Sequence, residues 1–142
     1  MQPSVNRVSP PGTTRVRVAA GVLSLVLASV YTIQFAAAFE RHAYLGAMFI
    51  SIACLHLMYG VMLLTQPWAM DSIGRAHADA AMHSRRWYRA GIASNLILVA
   101  LLSLSLVGVI PSLSGGVLEF LSVVLGLLLI ACLMTLTRLV RS

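Results

Sequence analysis

The sequence predicts an all-α integral membrane protein. The expected architecture is a four-helix bundle with both termini inside, short outer turns, and a longer cytoplasmic loop between helices two and three. Three observations predict it. Hydrophobic residues make up 59% of the 142 and charged residues only 10%, whereas a water-soluble domain carries about 25% charged residues. The mean hydropathy is +0.90. The apolar residues also gather into four runs, each meeting the roughly 20 residues a helix needs to cross a bilayer. The same figures exclude a disordered chain, which requires low hydrophobicity and high charge.

The four runs are Val18–Phe39, Ala43–Gln66, Trp87–Ile110 and Val117–Thr137. Residues 1–17 are expected to form a disordered cytoplasmic tail, because Pro3, Pro10, Pro11 and Gly12 punctuate it. Residues 18–142 then form the membrane domain. A polar turn at Glu40, Arg41 and His42 separates the first two runs. Pro111, Gly115 and Gly116 break the chain between the last two. The first run also resembles a signal peptide, with Ala36, Ala37 and Ala38 as a small-residue cleavage site. It is longer than the usual apolar core of such a signal.

Between the second and third runs, Asp71 or Ser72 is placed to cap a helix. Ile73, Ala76, Ala80, His83 and Trp87 recur at helical spacing. This loop is expected to form an amphipathic helix on the inner leaflet or an extension of span three.

Orientation is read from charge. All ten basic residues are Arg. Arg7, Arg15, Arg17, Arg75, Arg85, Arg86, Arg89, Arg138 and Arg141 fall on one side of the four spans, and only Arg41 on the other. Arg beside a span stays cytoplasmic, so both termini are expected inside. Trp68, Trp87 and Tyr88 then meet the inner interface, and Tyr44 the outer one. The arginines favour anionic headgroups of the inner leaflet. The net charge of +6 thereby encodes topology, and no nucleic-acid partner is expected. The expected location is the cytoplasmic membrane of a prokaryotic cell.

Spans in lipid pack through small residues. Ala20, Ser24, Ala28, Thr32 and Ala36 form such a stripe on span one. Ala43, Ala47 and Ser51 do so on span two, Ala90, Gly91 and Ser94 on span three, and Ser122 and Gly126 on span four. These stripes suit either the bundle itself or self-association. Cys54 and Cys132 sit in apolar runs without CxxC spacing, and are expected as small core residues.

Polar groups at membrane depth are default functional candidates. With a rise of about 1.5 Å per residue, His56 lies about 15 Å from the inner end of its span, Asn95 about 12 Å and Ser24 about 9–10 Å. Ser24, His56 and Asn95 therefore form a candidate inner layer, with a His56–Asn95 hydrogen bond expected. Gln34, Arg41, His42 and Glu119 form a candidate outer layer, where Glu119 can pair with Arg41 or His42. His77, Asp79 and His83 are weak metal candidates. Asp79 and His83 share a helix face, but His77 and His83 diverge by about 120°. His56 is the one histidine deep in a span, so a bis-His haem lacks its second ligand, and no cofactor is expected. No nucleophile–base set, phosphate loop or dinucleotide fingerprint is present.

Small multidrug-resistance transporters are similar in length and span count. Their mark is a carboxylate in the middle of span one, where this chain has only Gln34, toward one end. The leading expectation is a non-enzymatic accessory or scaffold subunit of a membrane assembly, or a homo-oligomer. The alternative is a small-solute or ion transporter using Glu119 and the His56/Asn95 layer. A continuous polar path between those two layers would distinguish the transporter from the subunit.

Overall fold

The computed structural model describes residues 11–66, 77–109 and 116–140. They form four helices: α1 (Pro11–Arg41), α2 (Ala43–Thr65), α3 (His77–Leu106) and α4 (Gly116–Leu139). All four are long and apolar enough to cross a membrane, which is the build of an integral membrane protein. The expected caps at Asp71 and Ser72, the prolines and glycines of the third turn up to Gly115, and residues 1–10 lie outside the described residues.

Within α1, residues 11–17 of the expected tail are helical. The boundaries that lie inside the described residues have local causes. A single extended residue, His42 (φ −152°), turns α1 into α2, which makes these helices antiparallel neighbours. α2 ends on Gln66 in the left-handed region (φ 45°), with its N–H bonded to the Met62 carbonyl. The Gln66 side chain is held there: Arg17 Nη1 donates to its Oε1, and it also bonds Tyr88.

α3 stops at Leu106, short of the expected Ile110. Gly108 (φ 75°) sits in a Schellman turn: Val109 N–H bonds the Leu104 carbonyl and Gly108 N–H the Ser105 carbonyl, at 3.0 and 3.1 Å. At its other end α3 runs back to His77, so residues 77–86 are the first turns of the same helix.

α1 packs against both α2 and α4, and α3 packs against α4. The order around the bundle is therefore α2–α1–α4–α3, and α2 and α3 flank a cleft. The core is built from Ala20, Leu27, Tyr31 and Ala38 of α1, Phe49, Ala53 and Leu63 of α2, Tyr88 and Leu102 of α3, and Leu129, Leu133 and Leu136 of α4.

The small-residue stripes are used unevenly. On α1, Ala20, Ser24 and Ala28 are buried, whereas Thr32 and Ala36 are exposed. On α2 the expected stripe of Ala43, Ala47 and Ser51 faces outward, and Gly46, Phe49, Ala53, His56, Gly60 and Leu63 face the bundle. α1 and α2 approach closely at glycine. A Cβ on Gly60 would stand 3.0 Å from the Gly21 carbonyl oxygen and 2.9 Å from Leu25 Cδ2. Cys54 is exposed on α2 and Cys132 half-buried, so Cys54 is not the core residue expected. α2 is apolar on every side, and a lipid-facing cysteine is as well accommodated as a buried one.

Hydroxyls on the outer faces are internally satisfied. Ser29, Thr32, Ser51, Thr65 and Thr135 each donate to the carbonyl four residues earlier, at 2.7–3.2 Å. This removes the cost of an unpaired donor in hydrocarbon.

Candidate functional site

Three polar layers cross the bundle. The first lies at the Arg-rich end. Arg17 reaches Gln66, and Tyr88 bonds both Gln66 and Ser84. Arg85 Nη2 donates to the Val140 carbonyl at 2.6 Å. Tyr88, expected at the membrane interface, is 1% exposed. It joins α1, α2 and α3 through this cluster.

The second layer holds Ser24 and His56, brought together across the α1–α2 contact. Ser24 Oγ donates to the His56 carbonyl at 2.8 Å, and it lies 3.2 Å from His56 Nδ1. The imidazole stacks on Tyr31, with ring centroids 5.4 Å apart. Asn95 bonds within its own helix: Nδ2 donates to the Gly91 carbonyl at 2.9 Å. Ser94 Oγ donates to the same carbonyl at 3.2 Å. The structure thus pairs His56 with Ser24. His56 and Asn95 instead share a cavity of about 400 Å³ in the cleft between α2 and α3.

That cavity is lined on the α2 side by Ile52, Leu55, His56 and Tyr59, and on the α3 side by Trp87, Gly91, Asn95 and Leu98 among others. Tyr59 Oη crosses the cleft to donate to the Trp87 carbonyl at 3.0 Å. Glycine at 91 makes room for this ring, since a Cβ there would stand 2.1 Å from Tyr59 Oη. Tyr59 is not among the residues singled out from the sequence, and Gly91 enters there only as part of a packing stripe. The signal was their spacing: Tyr59 follows His56 by one helical turn, and Gly91 precedes Asn95 by one.

The third layer lies near the α1–α2 turn. Gln34 Nε2 donates to Ser122 Oγ at 2.7 Å and to the Leu118 carbonyl at 3.2 Å, tying α1 to α4. Ser122 also bonds Tyr31. Glu119, 1% exposed, accepts from Ser105 Oγ at 3.1 Å. It stands in the first turn of α4, where the helix dipole favours a negative charge. Arg41, the last residue of α1, is exposed. His42 is exposed and stacks on Tyr44 at 5.4 Å. Among the expected metal candidates His83 is exposed, while the side chains of His77 and Asp79 lie outside the described residues. Among the described residues no three His, Cys, Asp or Glu groups converge on a metal position.

Gln34 offers a direct measure of how strongly polar contacts join α1 to α4. Gln34→Leu is expected to destabilise the bundle by about 1 kcal/mol, with a coupling of about 0.6 kcal/mol to Ser122→Ala in a double-mutant cycle. Unfolding in mixed micelles of increasing SDS content measures both.

Comparison of the chain with protein-family models, with curated proteins and with solved structures finds no match. A functional reading therefore rests on the geometry of the chain itself.

Proposed function

We propose that this chain is a non-enzymatic accessory or scaffold subunit of a larger membrane assembly, or the protomer of a homo-oligomer. In this reading it sits in the cytoplasmic membrane of a prokaryotic cell with both termini inside. One observation carries the choice of a subunit over a transporter. Between the His56/Asn95 layer and the Gln34/Glu119 layer lie Leu27, Phe49 and Leu129, each 0% exposed, and Leu102, 2% exposed. One stands on each helix. By helical rise Leu27, Phe49 and Leu102 lie about 10 Å or less from the polar residues of their own helices, and Leu129 about 10 Å from Ser122 and about 15 Å from Glu119. A transported ion would have to shed its hydration to pass them, and their side chains offer nothing in its place.

The arginine distribution supports the orientation and suits contact with anionic headgroups on the Arg-rich side. Two measurements on one preparation test the reading. The full chain is purified in mild detergent and its mass determined, then reconstituted into liposomes carrying an internal pH dye and a potassium gradient. A stoichiometric partner or a second copy is expected, with ion flux equal to that of protein-free liposomes. A monomer that catalyses saturable flux would overturn the subunit reading in favour of transport.

A further inference from the structure

The cavity between α2 and α3 has a polar floor whose hydrogen-bonding pattern can be worked out atom by atom. Ser24 has a single hydroxyl proton. The His56 carbonyl can only accept, so the 2.8 Å contact uses that proton. The 3.2 Å contact with His56 Nδ1 must then be a bond from Nδ1–H to the Ser24 oxygen. This assigns the tautomer and leaves Nε2 as an acceptor. On the facing helix, one Asn95 amide proton goes to the Gly91 carbonyl, which also settles which amide atom is nitrogen. The second amide proton and Oδ1 have no partner among the described residues.

His56 is 5% exposed and Asn95 3%, and both line the cavity. The floor therefore offers two acceptors and one donor inside an otherwise apolar site. Leaving such atoms unmatched in hydrocarbon is costly. A hydroxyl matches two of these three, donating to His56 Nε2 while accepting from Asn95 Nδ2, and leaves Asn95 Oδ1 for a second donor.

The remaining features narrow the molecule that carries this hydroxyl. The cavity of about 400 Å³ falls within the range of small-molecule sites. Trp87 and Tyr59 line it, and aromatic side chains suit contact with a ring. It lies in the cleft between two membrane-spanning helices that do not pack along their length, so the approach is sideways from the lipid. We propose that this cavity binds a membrane-soluble phenol of the quinol type, with its ring hydroxyl on His56 and Asn95 and its apolar tail leaving between α2 and α3. The proposal concerns binding alone and does not depend on the subunit reading. Redox state is the discriminating variable: the oxidised quinone can accept from Asn95 Nδ2 but has no proton to give to His56 Nε2.

The test titrates the full chain in lipid nanodiscs with decylbenzoquinol kept reduced by ascorbate, with decylbenzoquinone, and with dodecanol. Binding is read by calorimetry after subtraction of empty discs. Saturable binding of one decylbenzoquinol per chain is expected, with affinity about tenfold weaker for the quinone and about tenfold weaker for the quinol in Asn95→Leu. Ala90→Trp, at an exposed position in the cavity lining, fills the site without disturbing buried packing and is expected to abolish binding. Should Asn95→Leu lose its helical circular dichroism, Ala90→Trp decides. Equal affinity for quinol and quinone, dodecanol binding as tightly as quinol, binding that survives Ala90→Trp, or absence of saturable binding would each overturn the proposal.

Discussion

Gly60→Val is expected to lower the unfolding free energy of the bundle by about 3 kcal/mol, while Gly12→Val changes it by less than about 0.5 kcal/mol. The contrast follows from what each new side chain meets. At Gly12 nothing lies within 4 Å of an added Cβ. At Gly60 the added Cβ meets the Gly21 backbone oxygen at 3.0 Å as well as Leu25. A side chain can rotate away, but a carbonyl in a helix moves only with its helix. α1 and α2 must therefore separate, and the Ser24–His56 bonds one turn further along stretch with them. Unfolding in mixed SDS micelles measures the loss. Val at position 60 with unchanged stability would mean that α1 and α2 do not meet at this glycine pair.

The second large effect is expected at Phe49. Phe49 is 0% exposed and stacks on Tyr31 with centroids 6.1 Å apart. Phe→Ala in the core of a soluble protein costs about 3–5 kcal/mol, part of it transfer from water and part the cavity left behind. A span that leaves the bundle enters lipid, which is as apolar as the core. The transfer part is therefore small, and Phe49→Ala is expected to cost about 2 kcal/mol from lost packing. Phe39→Ala is the matched control. Phe39 is 53% exposed, and its removal is expected to cost less than half as much. The same micelle titration compares them, and equal losses would place Phe49 outside the packed core. Phe49 also belongs to the apolar barrier between the polar layers. Phe49→Ala with measurable ion leakage in liposomes would identify that barrier as the element that seals the bundle.

How far the candidate site is legible in the sequence depends on which coordinate is asked for. Depth is legible. Counting residues along each span puts Ser24, His56 and Asn95 near one level, and the structure places Ser24 against His56 and puts His56 and Asn95 on one cavity. The same counting puts Gln34 and Glu119 near the other end, where Gln34 meets the first turns of α4. Rotation about the helix axis is not legible. Ala43, Ala47 and Ser51 read as a packing stripe and face outward, while Gly46, Phe49 and Ala53 on the same helix face inward. A soluble amphipathic helix declares its buried face through polarity. A span surrounded by lipid has no such marker, because both faces are equally apolar.

The sequence by itself therefore determined the number of spans, the asymmetry of arginine across them and the depth of each polar residue, because these follow from hydropathy and a constant rise per residue. Only the tertiary structure decided that α1 packs between α2 and α4, that His56 bonds Ser24, and that α2 and α3 leave a cleft with His56 and Asn95 at its floor. Those outcomes depend on how side chains of different helices interdigitate. Close approach at Gly21 and Gly60 brings α2 onto α1, while Tyr59, resting over Gly91, bonds α2 to α3.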